Sequence, residues 1–167
     1  EDYWYYADGS GNLYAGEFKT IKGKKYAFRN DGRMIDGLKF IYEDKDAQSL
    51  TVWADDDDPY RFDSEDDFDD NAPLYEAAGY YCYYFGNGDD GAMRTNKTTV
   101  EIDGENFNFY FEKSGGKKGA GLTGEKDDKF YQSGKLLKAD TDDKYSVVQR
   151  QLVKKTNGAI NLSLIHI

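Results

Sequence analysis

The chain has few of the residues that cross-link a fold or hold a transition metal. Its 167 residues include one cysteine, Cys82, and one histidine, His166. A lone cysteine forms no internal disulfide, and zinc sites need several thiolate or imidazole ligands. The same scarcity excludes the usual catalytic sets of nucleophile, base and orienting group. We therefore expect no catalytic residue, no metal, no cofactor and no enzymatic activity.

Long apolar runs and clustered basic residues are lacking as well. The chain is 38% hydrophobic, its mean hydropathy is -0.87, and it has no apolar run long enough to cross a bilayer. The formal net charge is -10, and the lysines and arginines are scattered. A phosphate backbone needs clustered cations, so we expect neither nucleic-acid binding nor membrane insertion.

Aromatic residues and glycine are abundant. Tyrosine, phenylalanine and tryptophan make up 16% of the chain, and there are 18 glycines but only 2 prolines. Aromatic residues favour strands, and glycine allows tight turns between them. This composition predicts an all-β protein in which aromatic side chains supply most of the buried apolar surface.

The sequence repeats itself with a spacing of 21 residues. Residues 4–16 are followed by a similar segment at 25–37. The aligned pairs are Tyr5 and Tyr26, Gly11 and Gly32, Leu13 and Met34, and Gly16 and Gly37. Such a short period is typical of repeat arrays, whose units must stack to bury an apolar face.

Each repeat has the pattern of a β-hairpin. Aromatic residues alternate before an Asn-Asp-Gly type of turn, and a return strand follows. Looser copies lie at 83–93, 107–115 and 127–136, which gives five units with the last two degraded. We predict a β-hairpin solenoid of ~20-residue repeats, interrupted by a short acidic and α-helical insertion.

Residues 4–6, 16–28 and 31–34 resemble the cell-wall-binding repeats, also called choline-binding or glucan-binding repeats, of Firmicutes surface proteins. The resemblance covers residues 1–41 well and residues 83–145 more loosely. It implies a hairpin solenoid that is fused to an enzyme, toxin or adhesin. The solenoid would attach that domain to teichoic acid or polysaccharide of the envelope.

The resemblance also implies ligand-binding residues. The family binds choline in a cage of three aromatic residues and a methionine from adjacent hairpins. The positions of this chain that correspond to the cage and its groove are Trp4, Tyr6, Tyr14, Phe18, Tyr26, Met34, Tyr84 and Met93.

Two of the family's tryptophan positions hold other residues here. Lys25 replaces one of them and Phe18 another. A lysine repels choline, so a polysaccharide that stacks on tyrosine and phenylalanine fits better. The alternative is that these aromatic residues only form the shared core, which we expect for Tyr26, Phe28, Phe109 and Phe111.

Residues 42–82 break the period. We predict a strand at 50–54, an exposed acidic turn at 55–59 and a helix that starts after Ser64 and stops at Gly79. Its apolar face would contain Phe68, Leu74, Tyr75 and Ala78. Pro73 favours either two short turns or a helix that begins at Pro73. The carboxylates lack the spacing of a calcium loop. Carboxylate pairs for glycoside hydrolysis are available, but a hairpin stack makes no deep cleft.

The last segment is predicted to be a terminal hairpin around residues 157–158 or a truncated continuation of the array. The predicted organisation is thus hairpin repeats at 1–41, the insertion at 42–82, degraded repeats at 83–145 and the terminal segment at 146–167.

Three functions remain open. The first is a non-catalytic module, secreted or on the cell surface, that binds cell-wall polysaccharide or teichoic acid, with choline as a further candidate ligand. The second is a structural spacer or protein-interaction stalk without glycan binding. The third is a toxin-like repeat that binds host oligosaccharide.

Overall fold

The structure is a computed structural model that describes residues 3–53, 62–88 and 90–137, together with the backbone of three strands between 143 and 164. The chain divides into two compact units. The first unit is Glu1–Arg61 with Tyr80–Arg94, and the second is Phe62–Gly79 with Thr95–Ile167. Each unit is described by itself.

The first unit consists of short antiparallel strands. They are β1 (Glu17–Ile21), β2 (Lys24–Phe28), β3 (Leu38–Asp44), β4 (Ser49–Val52) and β5 (Tyr81–Tyr84). Strands β1 and β2 form one hairpin, and β3 is the middle strand of a three-stranded sheet in the order β4-β3-β5. The register pairs Phe18 with Ala27 in the first sheet and Phe40 with Cys82 in the second.

The 21-residue repeat of the sequence is also a repeat of backbone geometry. An isolated bridge joins Ala7 to Leu13 in the first copy, and Phe28 to Met34 in the second. The amide of Gly11 donates to the Asp8 carbonyl at 3.0 Å. In the second copy the amide of Gly32 donates to the Arg29 carbonyl at 2.9 Å. Both turns need a positive φ, which is 87° at Gly11 and 93° at Gly32, so glycine is required at both.

Neighbouring hairpins are joined by one recurrent backbone hydrogen bond. The amide of Met34 donates to the Trp4 carbonyl of the first hairpin at 2.8 Å. The amide of Met93 donates to the Lys25 carbonyl of the second hairpin at 2.7 Å. Trp4 and Lys25 are 21 residues apart. The segment around Met93 is therefore a third hairpin that stacks on the second as the second stacks on the first.

Glycines allow this close stacking. A Cβ on Gly32 would lie 3.3 Å from a methyl group of Leu13 in the preceding hairpin. A Cβ on Gly91 would collide with the sulfur of Met34. Leu13 and Met34 are equivalent positions of the repeat, so each apolar side chain occupies space that the glycine of the next hairpin leaves open.

The second unit contains a five-stranded antiparallel sheet. Its strands are β6 (Asn96–Ile102), β7 (Glu105–Phe111), β8 (Gly124–Lys126), β9 (Lys129–Gln132) and β10 (Lys135–Leu136), in the order β6-β7-β10-β9-β8. A further sheet has the order β11-β12-β13, with β11 at Asp143–Val148, β12 at Gln151–Thr156 and β13 at Ala159–Leu164. Strands β12 and β13 pair as a hairpin, as predicted, although the turn residues 157–158 lie outside the described residues.

The second unit also contains a hairpin with the bonding of the repeat. The amide of Glu112 donates to the Ala120 carbonyl at 2.9 Å, and the amide of Gly119 donates back to the Glu112 carbonyl at 2.8 Å. The turn glycine of this copy is therefore Gly119. The sequence pattern had placed the end of this copy at Gly115, so that prediction was wrong. Additional loop residues move the turn along the chain, and residue spacing alone does not reveal where such residues are inserted.

One helix, α1 (Glu65–Ala77), belongs to the second unit. It begins as predicted, because the side chain of Ser64 accepts a hydrogen bond from the Asp67 amide at 3.1 Å. The prediction of a break at Pro73 was wrong, since the helix continues through this residue. Leu74 was expected on the buried face but is 55% exposed. Ala78 was expected there too, but it is exposed and caps the end of the helix. Phe68, Ala72, Pro73 and Tyr75 are buried. Phe68, Ala72 and Tyr75 follow spacings of four and three, which place residues on one side of a helix.

Aromatic contacts join the helix to the sheet of the second unit. The Phe68 ring lies 5.4 Å from that of Phe109 in an edge-on arrangement. Phe109 in turn stacks on Phe111 at 5.6 Å. All three rings are almost fully buried, as expected for Phe109 and Phe111 in the core of the predicted repeats and for Phe68 on the apolar face of the helix. Such pairs stabilise a core by about 0.5–1.5 kcal/mol each beyond their buried area.

Polar side chains also hold helix α1 against the sheet of the second unit, at two places. Glu76 Oε2 accepts hydrogen bonds from the hydroxyls of Thr123 at 2.6 Å and Ser133 at 2.9 Å, and from the Gln132 amide at 2.9 Å. The buried ammonium of Lys135 pairs with Glu65 and lies 3.1 Å from Asp69 Oδ1. Helix α1 is therefore held to strands β9 and β10 by charge as well as by packing.

The described residues thus form mostly antiparallel β-sheets and one helix, which confirms the predicted all-β class with a helical insertion. The solenoid and the four-segment organisation stay predictions. The predicted acidic turn at 55–59 lies outside the described residues.

Alanine at Gly16 should destabilise the first unit more than alanine at Gly23. Both glycines have positive φ, 66° and 82°, so both substitutions carry the left-handed strain of about 1–2 kcal/mol. Only at Gly16 would a Cβ collide with a backbone atom, the carbonyl oxygen of Gln48, whereas nothing lies within 4 Å at Gly23. Urea unfolding should show an additional loss of about 1–3 kcal/mol for Gly16→Ala. Equal losses would contradict the close approach.

Burial and the Lys135 ammonium change the pKa of Asp69 in opposite directions. Burial raises the pKa of Asp69, and the neighbouring Lys135 ammonium opposes this shift. The contribution of this carboxyl to stability is therefore present below its unfolded pKa and is lost as pH rises through its folded pKa.

The substitution Lys135→Met should raise the pKa of Asp69 further, measured by carbon NMR of the carboxyl groups. It should also lower the free energy of unfolding at pH 7 by roughly 1–3 kcal/mol, because it removes the counter-charge of the half-buried Asp69 carboxylate. Lys129→Met, at an exposed position of β9, is the matched control and should change neither quantity. An unchanged Asp69 midpoint in Lys135→Met would show that the ion pair is unimportant.

Candidate functional site

The first two hairpins bring four aromatic rings together, and we call this group the tyrosine cluster: Tyr6, Tyr14, Tyr26 and Phe28. The Tyr6 ring lies 5.6 Å from Tyr26 and 6.3 Å from Phe28, the latter edge-on. The Tyr14 ring lies 5.9 Å from Phe28. Phe28 is completely buried, Tyr26 is 6% exposed and Tyr6 is 39% exposed. The cluster thus has a buried base and an accessible rim.

The base of the cluster extends into the third hairpin. Met34 and Ala92 are buried against Tyr26 and Phe28. The half-buried Ile21 packs against the same group. Residues from three hairpins therefore share one core, so the position of each rim residue depends on the stack beneath it.

Phe18 lies in a second aromatic group with Tyr83. The two rings are 5.0 Å apart, and Tyr83 is 6.3 Å from Phe85 in a stacked arrangement. Tyr83 and Phe85 are buried, while Phe18 is half-exposed. Burial raises the pKa of the Tyr83 hydroxyl, and the nearby Glu43 carboxylate adds to the shift, so this phenol stays neutral.

Exposed apolar side chains are concentrated on the first hairpin. Of the six large apolar side chains that are exposed among the described residues, four lie there: Trp4, Tyr5, Tyr6 and Leu13. Trp4 is 72% exposed, more than any other of the six. A Trp4 side chain with this exposure contributes little buried apolar area to the core. Exposed aromatic groups of this kind are typical of binding surfaces.

Cations of the chain itself lie over several aromatic faces of the first unit. The Lys25 ammonium is 5.5 Å from the centre of the Phe18 ring, and the Lys19 ammonium is 5.3 Å from that of Tyr14. The Arg33 guanidinium is 4.9 Å from the centre of the Tyr3 ring. These distances are typical of cation–π interactions. The faces of Phe18, Tyr14 and Tyr3 therefore already have an internal cation.

An ion pair ties the third hairpin to the second beside the tyrosine cluster. Lys24 Nζ lies 3.1 Å from Asp90 Oδ2. The Ala92 amide donates to Asp90 Oδ1 at 3.0 Å and, with Lys24, lowers the pKa of Asp90 to about 2. Burial raises the pKa of the nearby Tyr26 hydroxyl, and Tyr6 and Asp90 raise it further. The carboxylate is therefore charged and the phenol neutral at physiological pH.

The residues suggested by the family resemblance all lie in the first unit, but in different surroundings. Tyr6, Tyr14 and Tyr26 belong to the tyrosine cluster, and Met34 lies beneath them. Phe18 lies in the separate pair with Tyr83. Their roles in binding stay predictions.

Three more of those positions form backbone hydrogen bonds within or between the stacked hairpins. Trp4 accepts a hydrogen bond from Met34, Met93 donates to Lys25, and the carbonyl of Tyr84 accepts from the Arg94 amide at 2.8 Å. The side chains of Tyr84 and Met93 are half-exposed.

Sequence reasoning missed the partners of these residues. Tyr83 contacts Phe18 across an interval of 65 positions, and no local spacing predicts that contact. Lys19 could have been placed near Tyr26, because the two residues lie opposite each other in the register of the β1–β2 hairpin. Its contact with the Tyr14 ring additionally requires the stacking of two hairpins.

The described residues contain no group of three or more histidine, cysteine, aspartate or glutamate side chains positioned for a metal ion. Within the same part of the chain, no helix has the length and apolar character needed to cross a lipid bilayer.

No protein-family model and no curated protein sequence matches this chain. Similar solved structures do exist. One is choline binding protein F from Streptococcus pneumoniae, with 19% identity and a TM-score of 0.47 over 95% of this chain. The same protein in the presence of a peptidoglycan analogue, a tetrasaccharide-pentapeptide, gives 19% identity and a TM-score of 0.46 over 95% of this chain. CbpJ from the same species gives 16% identity and a TM-score of 0.47 over 94% of this chain.

The chain spans 38% of the length of choline binding protein F and 56% of CbpJ. TM-scores of 0.46–0.47 assign no role to any residue of this chain. The role of each residue is therefore inferred from its own position and contacts.

Proposed function

We propose that the first unit is a non-catalytic module that binds cell-wall glycan through the exposed rim of the tyrosine cluster and the neighbouring Trp4. The observation that carries the proposal is the contrast within one aromatic group. Phe28 and Tyr26 are buried and hold the hairpins together, whereas Tyr6 is 39% and Trp4 72% exposed. Rings that are fixed from below and open from above suit the flat apolar faces of sugar rings.

The internal cations favour a sugar over choline as the ligand. A quaternary ammonium group binds where aromatic faces are open and unopposed. Here Lys19 lies over Tyr14 and Lys25 over Phe18, so an incoming cation would meet like charge at both faces. A neutral sugar meets no such repulsion, and the lysine ammonium groups can donate hydrogen bonds to its hydroxyls.

Repetition would raise the strength of binding. A shallow aromatic surface gives weak affinity for one sugar, but several linked surfaces on one polymer act together. The shared backbone bonding of the three hairpins supports an extension of the array into a β-hairpin solenoid. Such a module would be secreted or displayed at the cell surface, attached to wall polysaccharide or teichoic acid and fused to a further domain that it holds in place.

Binding to purified Gram-positive cell walls tests the proposal. The wild-type chain should bind saturably, and soluble glucan should displace it at concentrations at which choline has no effect. Trp4→Ala should weaken binding roughly tenfold, since one stacked aromatic side chain contributes about 1–3 kcal/mol. Tyr6→Ala should weaken it as well. Removal of the Trp4 side chain should leave the fold intact, because Trp4 is 72% exposed.

Leu74→Ala is the matched control, because Leu74 is 55% exposed and lies on helix α1 of the second unit. It should bind walls as the wild type does. Absence of binding to any wall preparation would contradict the proposal and favour a spacer. Binding to a panel of host oligosaccharides instead would favour the toxin-like alternative. Displacement by choline alone would show that the lysines do not protect the aromatic faces.

A further inference from the structure

The turn segment of the third hairpin, residues 86–91, contains an asparagine followed by a glycine, Asn87-Gly88. Both residues are exposed and lie outside the strands. The segment is anchored on either side of them. Phe85 is completely buried, and Asp90 belongs to the ion pair with the second hairpin. The Asn87-Gly88 peptide bond is therefore accessible to water while the chain around it stays folded.

Asn87 differs from the other asparagines in the part of the chain that the structure describes. Among these it is the only one that a glycine follows. Asn30 uses both ends of its side-chain amide in hydrogen bonds, and the side-chain amide of Asn71 donates to two oxygens of Asp67. Asn87, by contrast, forms no side-chain hydrogen bond with a described residue. Its amide group can therefore change its orientation.

Gly88 leaves its backbone nitrogen open to the Asn87 side chain. Its φ is 85°, and a Cβ at this position would have no heavy atom within 4 Å apart from its chain neighbours. Because glycine has no Cβ to hinder rotation about the neighbouring bonds, the nitrogen of residue 88 can approach Cγ of residue 87. Asparagine is also one of the thermally labile residues. An unconstrained asparagine before a glycine has the geometry for loss of its amide.

We propose that Asn87 is a site of spontaneous deamidation, with water as the only co-reactant. The nitrogen of Gly88 attacks Cγ of Asn87, the new N–Cγ bond closes a cyclic imide, and the Cγ–Nδ2 bond breaks. The proton of the attacking nitrogen leaves with Nδ2 as ammonia. Water then adds to one of the two imide carbonyl carbons and opens the ring, which gives aspartate or isoaspartate at position 87. No atom is oxidised or reduced.

The products change the turn of the third hairpin and not the aromatic rim. Each product places a carboxylate at position 87, in the same turn as Asp90, and isoaspartate also inserts a methylene group into the main chain. That turn carries the ion pair between Asp90 and Lys24. Trp4 and Tyr6 lie on the first hairpin, so the modification and the proposed glycan binding rest on different residues.

Incubation of the whole chain at mildly alkaline pH, followed by peptide mapping with mass spectrometry, tests the proposal. Tryptic cleavage after Arg61 and Arg94 releases one peptide that contains both Asn71 and Asn87. Its mass should rise by the difference between water and ammonia, and fragmentation should place the change at Asn87 while Asn71 keeps its amide. The aspartate and isoaspartate forms of the peptide should separate in chromatography. The rate should increase with pH, because the attacking nitrogen must lose its proton.

Gly88→Ala should slow the reaction at Asn87 about tenfold, since a Cβ hinders the approach of the nitrogen. Gly23→Ala is the matched control, because Gly23 also has a positive φ, 82°, and no contact of an added Cβ within 4 Å. It introduces the same backbone strain at a distance from the reactive pair and should leave the rate at Asn87 unchanged.

Three results would overturn the proposal: an Asn87 that keeps its amide, loss of the Asn71 amide at the same rate, or a rate at Asn87 that Gly88→Ala does not lower. None of them affects wall binding by Trp4 and Tyr6, so the two proposals fail separately.

Discussion

The hydrogen bond from the amide of one hairpin to the carbonyl of the preceding hairpin determines the arrangement of the first unit. It occurs at Met34 and again at Met93, with acceptors that lie one repeat apart. A single hairpin of this size is marginal in water, so each one depends on its neighbour for stability. The bond also fixes the offset at which side chains of adjacent hairpins meet. Because of that offset, the glycine of one turn lies against Leu13 or Met34 of the hairpin before it.

The same constraint separates structural from accessible aromatic residues. Phe28 and Tyr26 lie between hairpins and are buried, whereas Tyr6 on the first hairpin keeps an open face. Lysines of neighbouring strands then cover Tyr14 and Phe18. A repeat that resembles choline-binding repeats thus presents aromatic faces with a different electrostatic character. We expect the ligand preference to follow this character, and the family resemblance only in part.

Local sequence patterns predicted the features that depend on local geometry. The spacing from Gly11 to Gly32 predicted two equivalent turns, and Ser64 predicted the start of the helix. Features that depend on contacts across the fold escaped prediction. Leu74 was placed on the buried face because it is apolar, although its angular position on the helix points elsewhere. A pocket is lined by Arg29 and Arg33 of the second hairpin and by residues of strand β4, about 20 positions later in the chain. Local sequence patterns do not predict a contact between segments so far apart.

Hydrogen–deuterium exchange at the amides of Met34 and Met93, followed by NMR, tests the stacking of the hairpins most directly. Both amides donate to the preceding hairpin, so both should be strongly protected and should lose their protection together in mild denaturant. Exchange at the rate of an unstructured peptide of the same sequence would contradict the account. The hairpins would then be independent, and the exposed aromatic rim would have no fixed base.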